Sequence, residues 1–186
     1  MYSKLGLNLG DVFSLKIPMT DKISSEYDSK FLIPAKSYFE KQEKNQCGGY
    51  STAYVLRCLN EEATGKEIYT QFKHTFKNGY VLPQSLIQTF KKYGYKAKIR
   101  KGNIETLKAR ASAGVPVIVI IGDGMKWQHY VSVVGYDEGN ILLYDSNYDT
   151  NNASGYNRVL SNSEFNKLWE NGIPFFEKSY FVIYDK

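Results

Sequence analysis

The stretch Gln128-His129-Tyr130-Val131-Ser132-Val133-Val134-Gly135-Tyr136-Asp137-Glu138-Gly139-Asn140-Ile141-Leu142-Leu143-Tyr144-Asp145 reads as two apolar strands joined by a turn. β-Branched and aromatic residues fill both runs, and Asp137 to Asn140 supplies residues that reverse a chain. A turn of this kind pairs its strands antiparallel. Residues near the start of the first strand then lie near the end of the second, so register alone brings His129 and Asp145 together. Upstream, Val115-Pro116-Val117-Ile118-Val119-Ile120-Ile121 is another buried strand, and Tyr180 to Tyr184 supplies one more near the end of the sequence.

Towards the N-terminus the apolar period changes to that of helices. Ile104 to Ala113 reads as a helix stopped by Gly114, and Tyr95 to Arg100 as a short strand before it. Pro83 to Tyr93 is a helix carrying Leu86, Ile87 and Phe90 on one face, with Gly94 as its stop. Glu67 to Phe76 is a further helix, broken by Gly79. In Cys47-Gly48-Gly49-Tyr50-Ser51-Thr52-Ala53-Tyr54-Val55-Leu56-Arg57-Cys58-Leu59, the positions Ala53 and Leu56 have helical spacing. Cys47 thus falls at a helix N-terminus, directly behind the polar loop Glu40 to Gln46. Phe31 to Phe39 holds a short strand or turn. Residues 1–30 are polar and mixed, with Pro18, and read as an arm lying on the domain. Helices in the first half and strands in the second predict an α+β domain with segregated layers over residues 31–186.

Composition is consistent with that domain. Of the 186 residues, 42% are hydrophobic and 15% aromatic, enough for a sizeable core and far from a disordered or fibrous chain. Sixteen tyrosines suit half-buried walls and grooves. The net charge of +5 comes from scattered lysines. Its densest cluster, Lys91, Lys92, Lys96, Lys98, Arg100 and Lys101, alternates along a helix end and a strand and reads as a solvated face. No nucleic-acid motif accompanies it, so no nucleic-acid partner is expected. No apolar run is long enough to span a membrane. Met1 to Thr20 does not read as a signal peptide, so the expected location is cytoplasmic, or secreted if a leader has been removed. A monomer is expected.

Two cysteines and two histidines limit the chemistry. Cys47 and Cys58, at opposite ends of one helix, would lie roughly 16 Å apart, too far for a disulfide. They do not match zinc spacing with the histidines, and no Walker or dinucleotide glycine motif is present, so neither metal nor cofactor is expected. A nucleophilic cysteine must be a thiolate, which a helix N-terminus and a neighbouring imidazolium favour. Cys47 meets the first condition, and Gly48 and Gly49 would let backbone and substrate approach closely. The competing reading is a buried core cysteine beside a glycine turn. The base is either His74, in a polar helical stretch, or His129, at the mouth of an apolar strand that would hold it rigidly; His129 fits better. Asp145 or Asn147 would orient the imidazole. Gln42 or Gln46 would join the backbone N–H of the nucleophile as oxyanion donor. Trp127, beside His129, is a candidate for the substrate wall. Tyr148 to Arg158 is a polar Asn-rich loop that could flank a substrate groove, though an ordinary surface loop fits its composition better.

Gln42, Asn45-Gln46-Cys47-Gly48-Gly49-Tyr50-Ser51, then Trp127 to Asp137, then Leu142-Leu143-Tyr144-Asp145-Ser146-Asn147 together resemble the papain-like cysteine peptidases of the bacterial bacteriocin-processing (double-glycine leader) type. The resemblance is greater to their stand-alone relatives without a transporter. Leu107 to Ile120 is similar to the family's stretch before the His strand. The resemblance implies a papain-like fold and a peptide or protein substrate. It also implies Cys47 as nucleophile, His129 as base, Asp145 as orienter and Gln42 as oxyanion donor. Gln42 lies one position closer to the cysteine than papain-like enzymes commonly place it, which keeps Gln46 open. The expected activity is peptide hydrolysis through a thioester. The alternatives are acyl transfer to an amine, or peptide binding without catalysis.

Overall fold

Alternation along the central strands decides which helices cover which face of the sheet. In the computed structural model, which describes residues 17–23, 26–34, 37–73, 75–124, 126–151, 153–172 and 175–184, the strand β4 (Val117–Gly122) is buried along its whole length. Ile118 and Ile120 join one apolar cluster, while Val117, Val119 and Ile121 join another. Its neighbour β5 (Gln128–Tyr136) divides in the same way, Tyr130 and Val134 to the first cluster and Val131 and Val133 to the second. A sheet apolar on both faces must be covered on both.

The first face is covered by α1 (Cys47–Cys58), α2 (Gly65–Thr70) and α3 (Pro83–Lys92). Tyr54, Leu56, Ile68, Leu86 and Phe90 are the buried anchors of that layer. The second face is covered by α4 (Ile104–Ala111) and α5 (Asn162–Glu170), through Leu107, Ala111, Phe165 and Trp169. Each large side chain of this kind contributes about 2 kcal/mol when fully buried. The remaining strands are β1 (Met19–Thr20), β2 (Phe31–Leu32), β3 (Lys96–Lys101), β6 (Asn140–Tyr144), β7 (Arg158–Ser161) and β8 (Ser179–Tyr184). The sheet order is β1-β3-β8-β4-β5-β6-β7, with β2 paired to β5. All these pairings are antiparallel except β1 with β3.

The expected hairpin forms as read. Asp137 Oδ1 accepts from the N–H groups of Gly139 and Asn140 and closes the turn, and β5 pairs with β6 from Tyr136↔Ile141 to Ser132↔Tyr144. The β5 pairing shifts between Val133 and Gly135, and β2 lies against Gly135, where a Cβ would sit 2.4 Å from the Phe31 carbonyl oxygen.

Three elements differ from the sequence reading. α2 starts at Gly65 and ends at Thr70, earlier at both ends than Glu67 to Phe76. Thr64 and Glu67 form a reciprocal capping box that sets the start, and past the helix Thr75 bridges to Val81 around the Asn78-Gly79 turn. β7 and α5 were not expected. A second capping box, Ser161 with Glu164, begins α5, and Phe165 and Trp169 follow at helical spacing. The described part of the N-terminal arm adds β1 to the sheet edge, and Asp21 is pinned there by Arg110 at 2.7 Å and by the Tyr180 hydroxyl at 2.7 Å.

Candidate active site

Cys47 is the first residue of α1, with Gln46 as N-cap. Neither Cys47 nor Cys58 is in a disulfide. The first turn of α1 is sunk in the core, and its two glycines explain how. A Cβ on Gly48 would lie 2.7 Å from Val81 Cγ2, and one on Gly49 would lie 2.6 Å from Tyr69 Cβ. Both distances are too short for real carbons, so α1 can pack this closely on α2 and the Val81 segment only with glycine at both positions.

The loop ahead of Cys47 is held by buried groups. Glu40 pairs with Arg57 Nη1 at 2.5 Å and accepts from the Gly65 N–H at 3.0 Å. Tyr144 donates its hydroxyl to the Glu40 carbonyl at 2.8 Å, and its ring stacks with Phe39 and Tyr54 at 4.8 and 4.4 Å. From this anchorage Gln42 reaches the end of β6. Its N–H donates to the Ser146 carbonyl at 2.8 Å, and the Ser146 hydroxyl donates to Gln42 Oε1 at 2.6 Å. With its carbonyl end occupied, the Gln42 amide has its NH2 group free to donate. Gln46 is placed differently: its Nε2 bonds Glu43 at 3.3 Å and its Oε1 is buried without a partner.

His129 and Asp145 meet as the hairpin register implies. His129 Nε2 lies 2.6 Å from Asp145 Oδ1, and Cys47 lines the same cleft and favours the charged ring. Burial opposes the imidazolium. Asp145 and Cys47 together outweigh it, and the His129 pKa is pushed up to about 9. Burial likewise opposes the Asp145 carboxylate, but the His129 bond, the Asn147 N–H at 2.9 Å and Arg158 hold it below the usual carboxylate range. The charged pair is therefore the favoured state at neutral pH. Asn147 stands second to Asp145, its Nδ2 3.4 Å from the imidazole. His74 lies outside the described residues.

A cleft of about 400 Å³ opens over these groups. Cys47, His129, Asp145 and Gln42 all line it, with Trp127, Tyr80 and Tyr148 supplying aromatic walls. Gly48, a candidate for the substrate wall, is buried, and a Cβ there would meet Val81, Leu86 and Tyr130. Arg158 and Asn157 were missed by the sequence reading, which left them in a surface loop. Arg158 Nη1 donates to Asp145 Oδ2 at 2.7 Å, and the Asn157 amide bonds the Asp145 backbone N–H and C=O at 2.8 and 2.9 Å. Their only signal was nearness to the Ser161-Glu164 capping box, which marks a helix start and so an ordered strand just before it. In the basic cluster, Lys101 pairs with Glu177 and Lys98 lies over the Tyr184 ring. Among the described residues, no group of three or more His, Cys, Asp or Glu could hold a metal ion, and no helix is long and apolar enough to cross a membrane.

A helix that opens on a cysteine, packed against an antiparallel sheet that carries a histidine, is the architecture of papain-like cysteine peptidases. A profile of the Peptidase C39 like family matches residues 33–172, so the chain belongs to that family and is a cysteine peptidase. Among solved structures it is similar to the peptidase domain of Streptococcus ComA, a bifunctional ABC transporter of a quorum-sensing pathway (TM-score 0.62, 17% identity, covering 80% of this chain and 98% of that one). It is also similar to a double glycine motif protease from an AMS/PCAT transporter in complex with its leader peptide (TM-score 0.58, 16% identity, 79% and 89% covered). A third likeness is to a cysteine protease of Carica candamarcensis (TM-score 0.58, 11% identity, 86% and 100% covered). At these identities the likeness concerns the fold. No curated protein matches in sequence.

Proposed function

We propose that the chain hydrolyses peptide bonds through a Cys47-His129-Asp145 triad, in a peptidase unit of residues 31–186 behind an arm of residues 1–30. The reading rests chiefly on one observation: the His129 ring is bonded to Asp145 at 2.6 Å and shares one cleft with Cys47 at the start of α1. The Cys47 sulfur attacks the scissile carbonyl as a thiolate, aided by the positive end of the α1 dipole. A C–S bond forms and the carbonyl oxygen takes the negative charge. Gln42 Nε2 and the Cys47 N–H donate to that oxyanion. His129 then gives its proton to the leaving amine as the C–N bond breaks, which leaves a thioester. Water, deprotonated by His129, attacks the thioester and releases the acid and the free thiol.

A peptide or protein substrate fits the cleft between Trp127, Tyr80 and Tyr148. The transporter-associated protease solved with a leader peptide provides an analogy for such an occupant. No nucleic acid and no second copy of the chain enters the proposed reaction.

The test uses Cys58 as an internal standard, because it lies at the opposite end of the same helix. Limited iodoacetamide is applied across a range of pH and both cysteines are followed by mass spectrometry. Cys47 should react faster than Cys58 at neutral and mildly acidic pH, and His129→Ala should abolish the difference. Equal reactivity in the parent, or a parental pattern in His129→Ala, would sink the proposal. Adding an amine acceptor during turnover of a cleaved peptide then separates hydrolysis from acyl transfer by the mass of the product.

A further inference from the structure

The reaction above has no step for Arg158, yet it is one of the most committed side chains of the site. It opens β7, the edge strand beside β6. Its Nη1 donates to Asp145 Oδ2 at 2.7 Å, while His129 takes Oδ1. Only 16% of the side chain is exposed, and the guanidinium lies 5.1 Å from the centre of the Tyr148 ring. Asn157, the residue before it, fixes the main chain of the same aspartate through both its N–H and its C=O. The start of β7 thus grips Asp145 by backbone and by carboxylate.

The chemistry asks two things of His129 that pull against each other. The ring must be protonated beside Cys47, and it must give that proton to the leaving amine. A dry carboxylate bonded to the imidazolium alone would hold the proton tightly. A guanidinium on the second oxygen draws off part of that charge. We infer that Arg158 is a positioning residue that fixes Asp145 through Oδ2 and keeps it from over-binding the His129 proton. The inference rests on His129 being the catalytic base. Cys47 faces the ring from α1, Asp145 and Asn147 from the segment after β6, and Arg158 from β7; Lys44, Tyr80 and Tyr148 line the same cleft. Lys44 is the second cation there, but it stands exposed at the rim, where water screens it. Arg158 is the more enclosed of the two, with 16% of its side chain exposed.

The sign follows. Removing the Arg158 charge leaves His129 as the one cation bonded to Asp145, beside the neutral Asn147 N–H, so the imidazolium persists to higher pH. The test is NMR titration of the imidazole ring protons. The chain has two histidines, and a His74→Gln background assigns the remaining signal. Arg158→Met keeps the apolar stem and removes the charge; Arg158→Lys keeps the charge on a shorter reach. The His129 midpoints should rank parent, then Arg158→Lys, then Arg158→Met, the last higher than the parent by about half a pH unit or more. Thermal unfolding shows which variants are folded, and the lysine variant carries the test if the methionine one is not. A folded variant whose midpoint sits at or below the parent's overturns the inference, since a purely structural prop would leave the midpoint in place. If the parent His129 titrates like a free imidazole and Cys47 is no more reactive than Cys58, the proposed triad itself falls. If the parent shows both signatures and only the variants fail to shift, the role of Arg158 alone falls.

Discussion

Replacing Asp145 by Asn changes one atom of a fully buried side chain and tests the proposed triad directly. Three donors converge on the carboxylate: His129 Nε2 at 2.6 Å, the Asn147 N–H at 2.9 Å and Arg158 Nη1 at 2.7 Å. An amide has one acceptor oxygen and one NH2 group, so it cannot serve all three. With its oxygen toward His129 it turns a donor on the Arg158 cation. With its nitrogen toward His129 it forces the ring to accept at Nε2, which directs the wrong tautomer at Cys47. Either way the imidazolium loses its counter-charge. A His129 pKa near 9, against 6.5 for an ordinary imidazole, corresponds to about 3 kcal/mol favouring the charged ring. Losing that costs on the order of a hundredfold in turnover at neutral pH. The assays are iodoacetamide competition between Cys47 and Cys58 and the alkaline limb of activity, which should fall from near 9 in the parent to the range of a free histidine or below. Stability gives a second check. Because the folded pKa lies above the unfolded one, His129 contributes stability fully present below about 6.5 and lost as pH rises through about 9; Asp145→Asn should flatten that decline. A folded Asp145→Asn protein with parental Cys47 reactivity and an unmoved alkaline limb would refute the assignment.

Gln42→Ala removes the proposed oxyanion donor and should lower kcat by about a hundredfold or more with little change in KM; Gln46→Ala, measured alongside, should leave kcat near the parent value, and the reverse ranking would move the role to Gln46. Gly48→Ala drives a Cβ to 2.7 Å from Val81 Cγ2 and should destabilise by about 1–3 kcal/mol despite alanine's better helix propensity. In chemical denaturation, Val81→Ala should recover part of that loss, and strict additivity of the two changes would show that the contact is not the cause. Arg57→Met breaks the buried pair with Glu40, whose side chain is 19% exposed, and should cost about 3 kcal/mol or more in unfolding free energy. Loss of Cys47 reactivity in the folded variant would follow from slippage of the loop that carries Gln42.

The hairpin was legible because its signals are local. The Asp137 turn fixes the register, and the register fixes which residues near the strand ends can meet, so His129 and Asp145 could be paired from spacing alone. The position of Cys47 was legible for the same reason, since a polar loop running into a helical period places it at a helix start. The close approach at Gly48 was expected from glycine itself, but not its partner: a Cβ there would meet Val81, thirty-three positions away in sequence. That contact exists only once α1, α2 and the strands have packed together. Gln42 and Gln46 could not be separated by type or spacing; the Ser146 hydroxyl bonded to Gln42 Oε1 supports Gln42 in the proposed reading, because it leaves that amide's NH2 group to donate.

Arg158 shows where local reading stops. In sequence it ends an Asn-rich stretch and looks solvated. In the fold, β7 pairs with β6 through Leu143↔Arg158, which sets the guanidinium beside the residue that ends the His129 hairpin. Asp145 is thereby bonded by an imidazole on β5, a guanidinium on β7 and an amide N–H of its own loop. Each of these comes from a different segment, and each satisfies a lone pair that burial would otherwise leave costly. A carboxylate this completely engaged cannot turn away from the imidazole without breaking two other bonds. That restraint keeps the His129 ring facing Cys47 in a site otherwise open to water on its cleft side.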